Sequence, residues 1–217
     1  MNPPSGVAAL RPLGLVLIAG TVIFWLGAFY MPLMKAYTAQ TVQEHLAVIG
    51  NNRLGWLISN GMMAAGGLVS TLALVALGEH LYRSGGGNKI VTVSAALWVV
   101  CCALWVTTAA FRITITTWSA EQLAASSQVP AFFPPLHRWN NFVVVIFMML
   151  AYAATALYGL AALRSGAFPK GVAWFALAFG GAGVLLRPAG VLFFEAPLMV
   201  EVVPLVLGIS LVWWGQS

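Results

Sequence analysis

The sequence predicts an all-α, polytopic membrane protein: a single six-helix transmembrane bundle over residues 1–217, with short surface helices in its outer loops. Three observations carry this. Only ten Lys and Arg and five Glu occur in 217 residues, while 61% of the chain is apolar. That leaves too little polar surface to cover a water-soluble core. The apolar residues gather into six runs, Leu13–Pro32, Leu54–Leu77, Ile90–Phe111, Phe142–Leu163, Gly171–Phe194 and Pro197–Trp214. Each approaches the roughly 20 residues that cross hydrocarbon at about 1.5 Å per residue. All six are continuously apolar rather than alternating, which excludes a barrel.

The first run follows a stretch with one charge and is longer than the core of a signal peptide. Tyr30-Met-Pro-Leu-Met34 offers no small-residue cleavage site, so the expectation is an uncleaved span. Next, Thr41-Val-Gln-Glu44 reads as a capping box ahead of Leu46-Ala-Val-Ile49, with Gly50 as the stop: a short helix on the membrane surface. Lys35, Arg53 and Arg138 are expected at headgroup phosphates. The second run carries the small-residue patch Gly61–Gly67 and holds Asn60 about 9 Å inside its end. The third has Cys101 and Cys102 side by side near its middle, where they read as packing residues, and Arg112 closes it.

Ser119-Ala-Glu-Gln122 resembles a second capping box. Pro130–Asn141, with three prolines and two phenylalanines, is a stiff apolar strip expected to anchor in the interface or to cover a cavity mouth. Asn140 and Asn141 open the fourth span. The fifth repeats the small-residue device in Phe179–Gly183 and contains Arg187. Glu195 and Pro197 suit the first turn of the sixth, and Glu201 lies one turn inside it. Trp56, Trp118, Trp139, Trp213 and Trp214 fall near span ends, as an aromatic belt requires.

Orientation rests on loop chemistry, since basic residues divide evenly between the two sides. The turns Tyr82–Lys89 and Leu163–Lys170 are short, basic and acid-free, which favours both termini in the cytoplasm of a bacterial inner-membrane protein. Both contain Arg-Ser-Gly, a faint sign of hairpin duplication. The net charge of +5 is scattered between spans, so nucleic acid is not a partner. No Asp occurs, nor Cys-x-x-Cys, His-x-x-x-His or a phosphate-binding glycine loop. No metal or cofactor is expected; lipids, an amphipathic ligand and neighbouring membrane subunits are.

Polarity collects at the outer helix ends. Asn60, Arg112, Asn141, Arg187 and Glu201 are the expected ligand-binding residues, converging on one outward-facing pocket, with Arg187 and Glu201 paired. Arg excess there suits a small anionic or amphipathic molecule, handled for transport, sensing or assembly. The alternative is an intramembrane enzyme acting on a lipid or isoprenoid, with Glu201 as acid or base and His137 or Glu44 assisting. A third reading is a structural subunit of a membrane complex.

Overall fold

Every regular element among the described residues is helical. The computed structural model describes residues 10–83, 89–166, 168–191 and 196–214. Glu195, the end of the fifth apolar run and most of the Tyr82–Lys89 turn lie outside them. Helices α1 (Arg11–Ala28), α4 (Arg53–Leu81) and α7 (Phe133–Ser165) are long and apolar enough to cross a membrane. So is the continuous rod made of α5 (Lys89–Phe111), a π-helical turn (Arg112–Thr116) and α6 (Thr117–Ser126). Two apolar helices are shorter: α8 (Lys170–Leu186), and α9 (Val202–Trp214) with the 3-10 turn Pro197–Glu201 that leads into it. Between α1 and α4 come α2 (Met31–Thr38) and α3 (Val42–Asn51).

The apolar helices pack in a closed order: α1 on α4, α4 on α5, α5 on α7, α7 on α8, α8 on α9, and α9 back on α1. Glycine sets the closest approaches. A Cβ at Gly14 would lie 2.7 Å from the Gly208 carbonyl, and one at Gly208 2.9 Å from the Gly14 carbonyl. Gly20 and Gly66 face each other across α1 and α4, and Gly159 and Gly180 meet backbone across α7 and α8. In lipid no hydrophobic force draws helices together, so such backbone proximity supplies the van der Waals contact instead. Side-chain donors then fasten one helix to the next. The Trp105 indole N–H donates to Met63 O at 3.0 Å, the Ser94 hydroxyl to Ala154 O at 2.7 Å, and the Tyr158 hydroxyl to Leu74 O.

One end of the packed helices is capped. There α2, α3, α6 and the first turns of α7 close over α4 and α5 around a second apolar cluster, with Leu46, Ile49, Trp56, Phe111, Leu123 and Phe133 at its centre. The Thr41 expectation holds: its hydroxyl accepts the Glu44 N–H at 3.1 Å, and the Glu44 carboxylate accepts the Gln40 N–H at 2.9 Å. Helix α3 nevertheless runs past Gly50 to Asn51.

Several local expectations are corrected. Pro32 does not end the first span; α1 stops at Ala28, and the proline sits in the first turn of α2, where its missing N–H is no loss. Arg112 does not end the third helix, which continues to Ser126. Ser119 is therefore mid-helix, its hydroxyl bonded back to Ile115 O rather than capping. Arg53 and Glu121 pair at 2.7 Å, tying α4 to α6, so Arg53 is not left to headgroups. The Pro130–Asn141 strip is largely helical: α7 runs from Phe133, which is 0% exposed, while Leu136 and Trp139 of the same strip are exposed. Trp56 is buried, unlike the belt candidates Trp118, Trp139 and Trp213, which are exposed. The side chain of Trp214 lies outside the described residues.

Candidate functional site

The buried stripe of α5 explains why an arginine points inward. Val91, Ser94, Trp98, Cys101, Trp105 and Thr108 are buried at alternating three- and four-residue steps, and Arg112 continues that register. From Arg112 the backbone widens into a π turn over a run of β-branched residues, Ile113-Thr-Ile-Thr-Thr117, whose side chains crowd a tighter helix. The turn leaves the Arg112 carbonyl open to side-chain donors. It accepts the Trp56 indole N–H at 2.8 Å and the Thr117 hydroxyl at 3.4 Å. The Arg112 backbone is thereby held from α4 and from the first residue of α6.

Around its guanidinium lies a cavity of about 310 Å³ under the cap. Helix α2 and its following loop contribute Tyr37, Gln40 and Thr41; α3 contributes His45; α7 contributes His137, Asn140 and Asn141; Trp56 and Thr116 complete the wall. Arg112 is only 9% exposed. Its guanidinium bonds the Tyr37 hydroxyl at 3.4 Å and lies 5.5 Å from the centroids of both the Tyr37 and Trp105 rings. Neither ion pair among the described residues involves it.

Two histidines meet beside the arginine, their ring centroids 4.9 Å apart. His45 donates from Nδ1 to Ala36 O at 2.8 Å, which leaves Nε2 as an acceptor. The Asn141 amide donates to His137 Nε2 at 3.2 Å, leaving Nδ1 of that ring to carry the proton. Burial and the Arg112 charge lower the pKa of His45. His137 precedes the apolar stretch of α7, and burial, then His45 and Arg112, push it down to about 4. Both rings thus favour the neutral form at pH 7, and among the described residues Arg112 is the one formal charge lining the cavity. The histidines are two, and among the described residues no third His, Cys, Asp or Glu joins them at metal-binding range.

Of the five expected ligand-binding residues, the structure brings Arg112 and Asn141 to this cavity. Asn60 sits one turn deeper on α4, its amide donating to Trp56 O at 2.9 Å. Arg187 caps the end of α8 and lines neither this cavity nor the small one beside Glu201. Glu201 is not paired with Arg187: its carboxylate accepts the Thr21 hydroxyl at 3.1 Å, deep between α1 and α4. Of the three residues named for acid–base work, His137 lines the cavity, Glu44 is occupied at the start of α3, and Glu201 is elsewhere. Sequence reasoning missed Tyr37, His45, Trp56 and Thr116 as cavity residues. The register of Trp98 and Trp105 with Arg112 was a usable signal for an inward arginine; the placement of α2 and α3 over it has no local signature.

No protein-family model, no curated protein and no solved structure matches this chain.

Proposed function

We propose that this is a six-span membrane protein that binds a small anion, or the anionic headgroup of an amphipathic molecule, at Arg112. In this reading α8 and α9 cross the bilayer with the four longer helices, both termini face the cytoplasm, and the cap lies on the far side. One observation carries the binding proposal. Arg112 is withdrawn from solvent beside a polar cavity and has no carboxylate partner among the described residues. A buried charge normally has its counter-charge. A guanidinium held by aromatic faces still presents N–H donors that match carboxylate or phosphate oxygens. Neutral His137 adds a ring N–H, and the asparagine amides add adaptable donors around it. A bound anion therefore completes the hydrogen bonding of a site already assembled.

The catalytic alternative draws less support, because Glu201 and His137 line different cavities. The test is binding to purified protein in a neutral detergent. Inorganic phosphate and acetate probe for a free anion, and phosphatidylglycerol against phosphatidylcholine probes for a lipid headgroup. One of these anions should raise the melting temperature saturably, and Arg112→Gln should abolish that rise. Indifference of the wild type to all of them, or an undiminished response in Arg112→Gln, would reject the site.

A further inference from the structure

We propose that His45 reads a hydroxyl group on the molecule held at Arg112. The ligand is then a hydroxylated anion, either a hydroxy acid or a lipid phosphate whose headgroup bears hydroxyls, rather than a plain carboxylate or phosphate. This rests on the anion-binding reading of Arg112 and adds a second group that the ligand must carry.

The Ala36 carbonyl can only accept, so its 2.8 Å contact with His45 puts the proton of the neutral ring on Nδ1. Nε2 is then a bare lone pair on a ring that lines the cavity, and no donor among the described residues serves it. His137 has the opposite pattern. Its Nε2 already accepts the Asn141 amide, and its Nδ1 carries the hydrogen. The two ring centroids lie 4.9 Å apart, and both rings line the cavity. Burial, with the Arg112 charge after it, disfavours protonation of either ring and so preserves one acceptor beside one donor. Trp56 supports both ends of the arrangement. Its ring stands edge-on to His45, with centroids 5.9 Å apart, and its indole N–H holds the Arg112 carbonyl.

An ionised carboxylate or phosphate oxygen accepts and does not donate. It matches the N–H groups of Arg112, but against Nε2 it sets lone pair facing lone pair and leaves the ring without a donor. A hydroxyl does both. It can donate to His45 Nε2 while accepting the His137 N–H, so the two rings together describe one O–H group. At about 310 Å³ the cavity has room for a second functional group beside the anionic one.

The test follows the melting temperature of the full chain in neutral detergent, at neutral pH, against ligands matched except for the hydroxyl. Lactate and 3-hydroxypropionate are compared with propionate, and phosphatidylglycerol with phosphatidylethanol, which lacks headgroup hydroxyls. The arm that responds identifies the source as a free acid or a lipid. Within it, a hydroxylated member should half-saturate at a concentration about ten-fold lower than its partner, the scale of one hydrogen bond. Arg112→Gln should abolish both responses. In His45→Asn the amide can still donate to Ala36 O, but nothing replaces Nε2. This variant should bring the hydroxylated member to the level of its partner and leave the partner's own response in place. Equal half-saturation of every matched set in the wild type, as when a water bridges the rings or His45 takes up a proton, overturns the proposal while the Arg112 site stands. A hydroxyl preference that His45→Asn retains also overturns it. Absence of any Arg112-dependent response in both arms removes the anion site and this inference with it. If His45→Asn does not fold, the wild-type comparisons decide alone.

Discussion

At the scale of single residues, the proposed anion site sets ligand binding against stability at Arg112. Its charge is buried at a desolvation cost that the Tyr37 hydroxyl and two aromatic faces offset only in part. An apolar side chain of similar length removes that cost and keeps the packing against Trp105. Arg112→Met should therefore stabilise the ligand-free protein by about 1 kcal/mol or more, while anion binding disappears. Thermal melting of the two proteins with and without anion checks both halves. The neighbouring histidines make a separate prediction about pH. Both are shifted below their ordinary value of 6.5. Below that value the unfolded chain binds more protons than the folded one, so stability falls as pH drops from about 6.5 towards 4. Melting curves across this range should show the decline, and His137→Gln, which cannot protonate, should flatten it. A wild-type curve that is level from 6.5 to 4 would show that neither ring is held neutral.

At the scale of elements, the π turn is what carries the helix past Arg112 beside the candidate cavity. Arg112 closes the third apolar run, as its place in the sequence implies, but an apolar run says nothing of where the helix stops. The β-branched run instead lets the chain widen and continue into α6, which brings Glu121 to Arg53 and Phe133 under the cap. Hydropathy reports where side chains dissolve and says nothing of such a change in helical pitch. The Trp56 indole holds the turn through the Arg112 carbonyl. Trp56→Phe keeps most of the ring volume and removes the 2.8 Å indole bond to that carbonyl. It should cost about 1 kcal/mol, the scale of one buried hydrogen bond, and weaken anion binding as Arg112 loosens. Trp118→Phe, at an exposed ring of the neighbouring helix, serves as the comparison and should change neither.

At the scale of the whole molecule, the apolar runs were legible because length and hydropathy alone identify helices that lipid can dissolve. The glycine patches were legible in part. Gly66, Gly67, Gly180 and Gly183 do sit at close contacts, whereas Gly61 and Gly181 face open space, since a patch does not say which side meets a partner. Whether α8 and α9 cross the bilayer or dip into it and return is a finer question of topology. Helix α8 has 17 residues, about 26 Å at 1.5 Å each, close to the roughly 30 Å of hydrocarbon. It also lies along α7, with Gly159 and Gly180 at backbone contact, so a crossing helix guides its course. The test uses single cysteines introduced at Gln128, Gly166 and Ala189 and labelled from one side by an impermeant maleimide. Native Cys101 is buried and Cys102 half-buried within α5, so background labelling should be low. Six crossings place Gln128 and Ala189 on one side and Gly166 on the other, with the Gly166 side cytoplasmic. A returning hairpin would leave Ala189 unreactive from both sides even though Gln128 and Gly166 still label oppositely. Labelling of Ala189 with Gln128 is the expected result, because Pro188, Ala189 and Gly190 are exposed at the same end of the molecule as the start of α9, where a re-entrant tip would have to lie in hydrocarbon with its backbone donors unmet.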